Sequence, residues 1–280
     1  MDETRDQPPS QDLAKVICKL LESGTVAVVV TVVAGPANVG AKLLVDEAGD
    51  VSGGLGDVEL DSLVAGHISQ FIKTREETRT FSVNEFAPGS ISKDVRLLFE
   101  RISPAPRLVV CGAGHVGAAL AKLGSFLGYE TSLIDDRADF LTRERFPDKS
   151  IELIVAQSWL ESVRDVVGSG KGVAVAVVTR GHAQDEECMR AVVAAQPDYV
   201  GLIGSKRRTT IVIDRLRQGG ASEEQLANIH APIGLDIGAV SPEEVALAII
   251  AEIVAVRYAA PGSSLSSWRR SQRQTRVYGP

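Results

Sequence analysis

The second half of the chain alternates short apolar runs with segments of helical spacing. The apolar runs, rich in Val, Ile and Leu, lie at 108–110, 129–134, 151–155, 173–178 and 199–203. Apolar positions repeat every three or four residues at 115–127, 160–167, 185–195, 205–218 and 242–257. Continuous apolar strands between helices indicate a parallel sheet that is covered on both faces. The pattern predicts an α/β, doubly wound, Rossmann-like parallel sheet.

The first hundred residues carry a different order of elements. Helical spacing at 13–21 precedes two strand-like runs, at 26–33 and 41–46, and a Gly-rich stretch then leads into an amphipathic helix at 60–74. A further strand is predicted at 80–86. This mixture predicts a smaller N-terminal α+β domain.

A proline-rich connection separates the two patterns. The sequence SPAP at 103–106 stands directly before the strand at 108–110, and clustered prolines mark connections rather than elements. We therefore expect an N-terminal domain at 11–102 and a Rossmann-like domain at 105–260. Residues 261–280 are rich in Ser and Arg with little apolar material, and we expect them to be disordered.

The strand at 108–110 runs into a Gly-x-Gly-x-x-Gly turn. Gly112 permits a tight strand-to-helix turn, Gly114 lets a phosphate approach the backbone, and Gly117 lets the helix pack closely on the sheet. Asp135 follows Gly112 by 23 residues, where such folds place the carboxylate that bonds a ribose hydroxyl. The turn predicts binding of a nucleotide or dinucleotide-like ligand, and the alternative is a tight turn without a ligand.

Polar residues that follow the strands supply the other candidate contacts, because ligands of open parallel sheets bind at the carboxyl ends of the strands. His115 lies inside the turn, and its side chain is expected to face the ligand. His182 is either a ligand or proton-relay contact or an ordinary residue at the start of a helix. His67 falls on a predicted helix of the N-terminal domain and is expected to lie on the surface.

Three basic residues at a helix start form a further candidate contact. Lys206, Arg207 and Arg208 would oppose the helix dipole, which is unfavourable unless an anion lies nearby. A phosphate or pterin contact is expected there, and a solvated face is the alternative. The candidate binding residues are Gly112, Gly114, His115, Gly117, Asp135, Asp136, Arg137, His182, Gly204, Ser205, Lys206, Arg207 and Asp236. No metal site is predicted from ligand spacing, and no catalytic residue is assigned.

Composition and charge exclude several classes of protein. A chain of 280 residues with 44% hydrophobic content can form a core in each of two domains, and its net charge of −6 argues against a nucleic-acid surface. No stretch is apolar enough to span a membrane, so we expect no stable membrane insertion and a cytoplasmic location. Three widely spaced cysteines, Cys18, Cys111 and Cys188, suit a reducing compartment.

Several segments together resemble the XdhC/CoxI family, the accessory factors of xanthine dehydrogenase and related molybdenum hydroxylases. They are VVCGAGHVGAALAKLGSFLGYETSLIDDR, the RFPD that follows, VVTRGHAQDEE, YVGLIGSKRR and HAPIGLDIGAVSPEEVALAIIAEI. The resemblance covers most of 107–257. It implies a C-terminal Rossmann domain, frequent homodimerisation and binding of the molybdenum cofactor. It also implies a chaperone that protects this cofactor, supports its sulfuration through a cysteine desulfurase and delivers it to a molybdenum hydroxylase.

The N-terminal part departs from the family at one position. VGAKLLV at 39–45 is similar to the family's Gly-Ala-Lys strand, and VSGG at 51–54 resembles the start of its Ser-Gly-Gly-Cys segment. Leu55 stands where many members have the cysteine. A thiolate ligand or sulfur carrier is therefore not expected at this point, although the Rossmann crevice can still bind the cofactor.

These observations favour a maturation chaperone rather than a catalyst. We expect it to bind molybdopterin or its dinucleotide form in the crevice between the domains. Glycines would hold phosphate, Asp135 a hydroxyl group, and Lys206 and Arg207 the anionic end. Two alternatives stay open, an NAD(P)-dependent oxidoreductase that uses the same turn and a regulatory module that senses a nucleotide.

Overall fold

The computed structural model describes residues 10–74, 76–88 and 94–266, without the side chains of residues 10–12, 182 and 183. The predicted disorder at 261–280 concerns residues that lie mostly outside this description. The chain forms two compact units, Met1–Ala105 and Pro106–Pro280. Each has its own hydrophobic core.

The first unit is a five-stranded antiparallel sheet with helices. Its strands lie in the order β3-β2-β1-β5-β4. They are β1 (Ala27–Ala34), β2 (Lys42–Asp46), β3 (Val51–Gly54), β4 (Thr78–Ser82) and β5 (Arg96–Ile102), and the helices are α1 (Ser10–Glu22), α2 (Val58–Lys73) and α3 (Val83–Phe86).

Strand β1 is buried on both faces because helices lie on either side of the sheet. Its residues Val28 and Val30 share a core with α2, whereas Ala27 and Val29 pack with Leu13 of α1. This follows from the alternation of side chains along a strand. The antiparallel pairing and the mixed elements confirm the smaller α+β domain that the sequence predicts.

One predicted strand and one predicted surface residue of this unit differ from the structure. The strand predicted at 80–86 ends at Ser82, because the N–H of Ser82 donates to Glu85 Oε1 at 2.8 Å and a short helix begins at Val83. His67, expected on the surface, is half-buried and stacks on Phe86 with ring centroids 4.6 Å apart.

The second unit is a six-stranded parallel sheet in the order β11-β10-β9-β6-β7-β8. Its strands are β6 (Arg107–Cys111), β7 (Glu130–Asp135), β8 (Ile151–Val155), β9 (Val173–Val177), β10 (Tyr199–Leu202) and β11 (Ile229–His230). Its helices are α4 (His115–Phe126), α5 (Trp159–Val167), α6 (His182–Ala195), α7 (Lys206–Gln218), α8 (Glu223–Ala227) and α9 (Pro242–Arg257).

Helices cover both faces of this sheet. Val109 of β6 belongs to the core that includes Val163 of α5 and Val192 of α6, whereas Val110 belongs to the core that includes Leu120 of α4 and Ile249 of α9. The predicted doubly wound α/β fold is confirmed.

The order of the strands places a topological switch point beside β6. The chain moves from β6 to β7 and β8 on one side, then returns to β9 and β10 on the other. Adjacent loops at the carboxyl ends of β6 and β9 therefore diverge, and open sheets bind ligands at such a point.

Within the part of the chain that the structure describes, no helix is both long and apolar enough to cross a membrane.

Candidate functional site

The three glycines of the turn at 112–117 have different surroundings. Gly112 has φ +117°, a left-handed conformation, and a Cβ there would lie 2.6 Å from the carbonyl oxygen of Val178. A Cβ on Gly117 would lie 1.7 Å from the carbonyl oxygen of Gly112. A Cβ on Gly114 would meet nothing within 4 Å. The turn is thus packed against the protein at two glycines and open at the third.

Helix α4 begins directly after Gly114, which is its N-cap and supplies no side-chain acceptor. The first N–H groups of a helix have no intrahelical partner, and the helix dipole favours a negative charge near them. The first turn of α4 contains no acidic side chain. This end of the helix suits an anionic group such as a phosphate.

A cleft lies at the carboxyl ends of β6, β7 and β9. Its volume is about 80 Å³, whereas pockets that enclose a whole small ligand measure roughly 300–1,000 Å³. The cleft therefore has room for a phosphate or part of a ribose rather than for a complete cofactor. Its lining residues are Gly112, Gly114, Asp135, Asp136, Arg137, Trp159, Val178, Thr179, Arg180 and Gln184.

Asp135 holds the turn in place. It is 2% exposed, and its Oδ2 accepts a hydrogen bond of 2.6 Å from the N–H of Ala113. Arg137 donates to it from Nε at 2.8 Å and from Nη2 at 2.9 Å. Burial acts to raise the pKa of the Asp135 carboxyl, but the hydrogen bonds from Arg137 and Ala113 outweigh it and leave the pKa below its ordinary value.

Asp136 is the carboxylate that the cleft presents to solvent. Its side chain is 34% exposed, and its Oδ2 lies 3.2 Å from Nη2 of Arg180, which follows β9. Nε of Arg137 lies 3.8 Å from Oδ1 of Asp136. The sequence prediction gave the ribose contact to Asp135, but the four protein hydrogen bonds of that residue make Asp136 the better placed partner for a hydroxyl group.

The buried carboxylate of Asp185 joins Thr179, which lines the cleft, to Arg208 of α7. Asp185 of α6 is fully buried, and its Oδ1 accepts a short hydrogen bond from the Thr179 hydroxyl. Arg208 of α7 donates from Nε to Asp185 Oδ2 at 2.7 Å. The carboxylate thus ties the starts of two helices to the end of β9.

The remaining predicted residues lie elsewhere. Of the described residues, the cleft lining does not include His115, Gly117, Gly204, Ser205, Lys206, Arg207 or Asp236. Ser205 caps α7 by accepting from the N–H of Arg208 at 3.3 Å, while Lys206 and Arg207 are exposed. His115 is exposed at the first position of α4, and Asp236 is exposed before α9. His182 begins α6, and its side chain lies outside the described residues.

Five of the lining residues are not among the candidate binding residues predicted from the sequence: Trp159, Val178, Thr179, Arg180 and Gln184. Thr179 and Arg180 directly follow a predicted strand, so the sequence alone places them at the edge of the sheet where ligands bind. Trp159 and Gln184 belong to the first turns of α5 and α6. No spacing in the sequence predicts that these two residues lie near the turn.

The N-terminal position that differs from the family pattern is part of the core. Leu55 is 1% exposed, and its N–H donates to Asp61 Oδ1 at 2.7 Å. In the described parts of the chain, His, Cys, Asp and Glu side chains form no group of three or more that could hold a metal ion.

Together these features define an α/β protein with a Rossmann-like unit, a Gly-rich turn open to an anion, and a smaller antiparallel unit before it. The sequence matches the family model of the XdhC Rossmann domain over residues 108–253 and that of the XdhC and CoxI family over residues 20–83. The chain belongs to the XdhC and CoxI family, which confirms the resemblance inferred from its motifs.

Three curated relatives are similar to about half of the chain. The uncharacterized protein YqeB of Escherichia coli (strain K12) is 35% identical over 56% of this chain and 28% of its own length. A protein of Bacillus subtilis (strain 168), described as a probable subunit of xanthine dehydrogenase, is 32% identical over 58% of this chain and 46% of that protein. The molybdenum cofactor insertion chaperone PaoD of E. coli (strain K12) is 26% identical over 55% and 41%. The matches cover less than half the length of each relative.

The fold has a solved counterpart. A crystal structure of a xanthine dehydrogenase from Bacillus halodurans superimposes with a TM-score of 0.63 and 20% sequence identity, covering 96% of this chain and 72% of that chain. At this level of identity the similarity shows the fold alone.

Proposed function

We propose that this chain is a maturation factor that binds the molybdenum cofactor, as molybdopterin or its dinucleotide form, and delivers it to a hydroxylase of the xanthine dehydrogenase type. The observation that carries the proposal is the open backbone at Gly114, at the start of α4 and within a cleft. A phosphate fits this position because unpaired N–H groups and the helix dipole favour an anion there. The names of two relatives, one a molybdenum cofactor insertion chaperone, support the choice of ligand.

The residues present fit the phosphorylated part of the cofactor. The turn at 112–117 would hold phosphate, and Asp136 and Arg180 at the mouth of the cleft would contact a sugar hydroxyl and an anionic oxygen. A cleft of about 80 Å³ leaves a pterin ring outside it. The cofactor supplies its redox chemistry in the client enzyme, while this chain binds, shields and releases it.

We further propose that the factor acts in the cytoplasm as a homodimer and supports sulfuration of the cofactor by a cysteine desulfurase. Leu55 is buried where many family members have a cysteine, and Cys111 and Cys188 are both buried in the core. The sulfur would therefore come from the partner's cysteine rather than from these positions.

The first test is the content of the purified protein. The full chain is isolated without oxygen from a host that makes molybdenum cofactor, and molybdenum and oxidised pterin are measured per chain. Near-stoichiometric pterin supports the proposal. Bound NAD(P) without pterin contradicts it and favours the oxidoreductase alternative, and an adenine nucleotide alone favours a regulatory module.

A matched pair of variants locates the binding site. Gly114→Ala places a methyl group in open space, and its φ of −66° is accessible to alanine, so the chain should fold. Gly66→Ala in α2 also meets nothing within 4 Å and serves as the control. We expect pterin to be lost from the first variant and retained by the second. Equal pterin content in both would remove the turn from the proposed site.

A further inference from the structure

Ala113, between the first two glycines of the turn, has both of its backbone groups bonded to charged side chains. Its N–H donates to Asp135 Oδ2 at 2.6 Å. Its carbonyl oxygen accepts a hydrogen bond of 3.2 Å from Nη2 of Arg145. Ala113 is itself fully buried. Side chains from the last residue of β7 and from the segment after it thus fix the turn from both sides.

Asp135 and Arg145 are also linked to each other, through Arg137 and Phe140. Asp135 is held by the guanidinium of Arg137, which lies 3.6 Å from the ring centroid of Phe140. Arg145 lies 4.9 Å from the same centroid, and its Nη1 donates to the Phe140 carbonyl oxygen at 2.6 Å. Nη2 of Arg145 donates to the carbonyl oxygen of Ala113, so these contacts form a ring. A planar guanidinium can bond two carbonyls in this way because its donors form a rigid fork.

The bond from Arg145 has a directional consequence for the next residue. The carbonyl of Ala113 and the N–H of Gly114 belong to one trans peptide, in which these groups point in opposite directions. Holding the carbonyl on Arg145 therefore points the Gly114 N–H away from it. Gly114 lines the cleft, and among the described residues no acceptor bonds its N–H.

We propose that Arg145 is a positioning residue, which orients the Gly114 N–H for an anionic oxygen of the ligand without touching the ligand. The inference rests on the proposed function for the identity of that ligand. The orientation itself can be measured in the ligand-free protein. A phosphate oxygen is the group that such an oriented backbone donor recognises.

Arg143 provides a matched control in the same segment. Its Nη1 donates to the carbonyl oxygens of Asp148 and Ile151, each at 3.0 Å, so it also braces backbone through two carbonyls. None of its described hydrogen bonds reaches the turn. Replacement of Arg143 by alanine therefore tests a purely structural role for arginine in this segment.

Selective labelling makes the peptide between Ala113 and Gly114 directly observable. With carbonyl-13C alanine and 15N glycine, an HNCO spectrum shows only Ala-Gly pairs, which occur at Gly35, Gly49, Gly66 and Gly114. The first three lie in the other unit and are internal references. We expect Arg145→Ala to shift the Gly114 signal and leave those three unchanged, whereas Arg143→Ala leaves all four in place. An unmoved Gly114 signal in the Arg145 variant would overturn the proposal.

Titration with inorganic pyrophosphate, followed at the same signal, gives the second readout. We expect the affinity of Arg145→Ala to fall roughly tenfold, as for loss of one well-placed bond to a charged group. Arg145→Lys keeps the charge but not the fork and should lose affinity to an intermediate degree. If the alanine variant does not fold, Arg145→Lys tests the positioning role on its own. Unchanged affinity in both variants contradicts the positioning role.

The two proposals fail in different ways. If the wild-type protein ignores pyrophosphate and carries no pterin, the proposed function is wrong, while the ligand-free Gly114 signal still decides whether Arg145 orients the peptide. If pterin is present and the Gly114 signal does not depend on Arg145, the cofactor-binding function stands and the positioning role is wrong.

Discussion

Arg180 and Asp136 meet across the mouth of the cleft, with Nη2 of the arginine 3.2 Å from Oδ2 of the carboxylate. They come from loops that follow two different strands, β9 and β7, which lie on opposite sides of β6. Their side chains are 46% and 34% exposed, so the pair contributes little to the free energy of folding. Because this ion pair stabilises the fold so little and spans the cleft, a ligand can replace one side of it at low cost in folding free energy.

We predict that Arg180→Ala lowers the pterin content of the purified protein several-fold while it changes the melting temperature little. An exposed ion pair contributes about 0–1 kcal/mol. The measurements are oxidised-pterin fluorescence per chain and differential scanning calorimetry. Arg164→Ala is the control, because Arg164 forms an exposed pair with Asp165 at 3.3 Å outside the cleft lining. Equal pterin in the two variants would exclude Arg180 from the site.

Asp135 should behave in the opposite way, as a residue on which folding depends. Asp135→Ala removes this partner from the half-buried Arg137 guanidinium and from the buried N–H of Ala113. Breaking a buried pair on one side costs roughly 3 kcal/mol. We predict a loss of this size in urea unfolding, followed by the fluorescence of Trp159 in a Trp268→Phe background. Asp136→Ala, at a more exposed carboxylate, should lose much less, and equal losses would contradict this assignment.

His67 makes the stability of the first unit depend on pH. Burial first, and then the charge of Arg79, hold the pKa of His67 below its ordinary value of 6.5, against an opposing effect of Glu85. Below pH 6.5 the unfolded chain therefore binds a proton that the folded chain resists binding. We predict that stability is fully present above this pH and declines as the pH falls toward the lowered pKa.

Hydrogen exchange of the β1 amides, which belong to the same unit, measures this effect between pH 5 and 7.5 after correction for intrinsic exchange rates. His67→Phe keeps an aromatic ring beside Phe86 and removes the titration. Its stability should depend less on pH than that of the wild type. His115→Phe, at an exposed residue of the other unit, should leave the dependence unchanged. An identical pH dependence in His67→Phe and the wild type would refute the role of His67.

The Rossmann-like unit could be predicted in detail because its signals are local. The closing helix was predicted at 242–257 and is observed there, since Ser241 and Glu244 form a capping box around Pro242. Strand β8 likewise matches its apolar run at 151–155. For helices and strands such as these, the residues at or next to the ends set where the element begins and ends.

Strand β5 shows why the first unit was predicted less completely. Its sequence contains Arg96, Glu100 and Arg101, and only Leu97 and Phe99 are deeply buried. It pairs with β1 and β4 on its two sides, and β1 is distant in sequence. Such pairing is a tertiary relationship, so a mixed run of seven residues does not reveal it.

The candidate site was predicted in part for the same reason. Gly112, Gly114 and the residues Asp135 to Arg137 line the same cleft because β6 and β7 are neighbours. Lys206 and Arg207 follow β10, which lies beyond β9 from the turn. The dipole argument for an anion beside them overlooked Asp185, a buried carboxylate that pairs with Arg208 at the same helix start.

Glu252 of α9 anchors the segment between β11 and α9, which gives the last prediction. Its Oε2 accepts hydrogen bonds from the Tyr199 hydroxyl at 2.5 Å and from the N–H of Gly234 at 2.9 Å. Burial, and then the bond to Glu252, raise the pKa of Tyr199 above its ordinary value, so this phenol stays protonated in mild alkali. We predict that Tyr199→Phe costs about 1–3 kcal/mol, because the half-buried Glu252 carboxylate loses a donor. It should also speed hydrogen exchange at 231–236. Tyr258→Phe, at a residue 39% exposed, should do neither, and similar exchange in the two variants would show that the Tyr199 hydroxyl does not hold the segment.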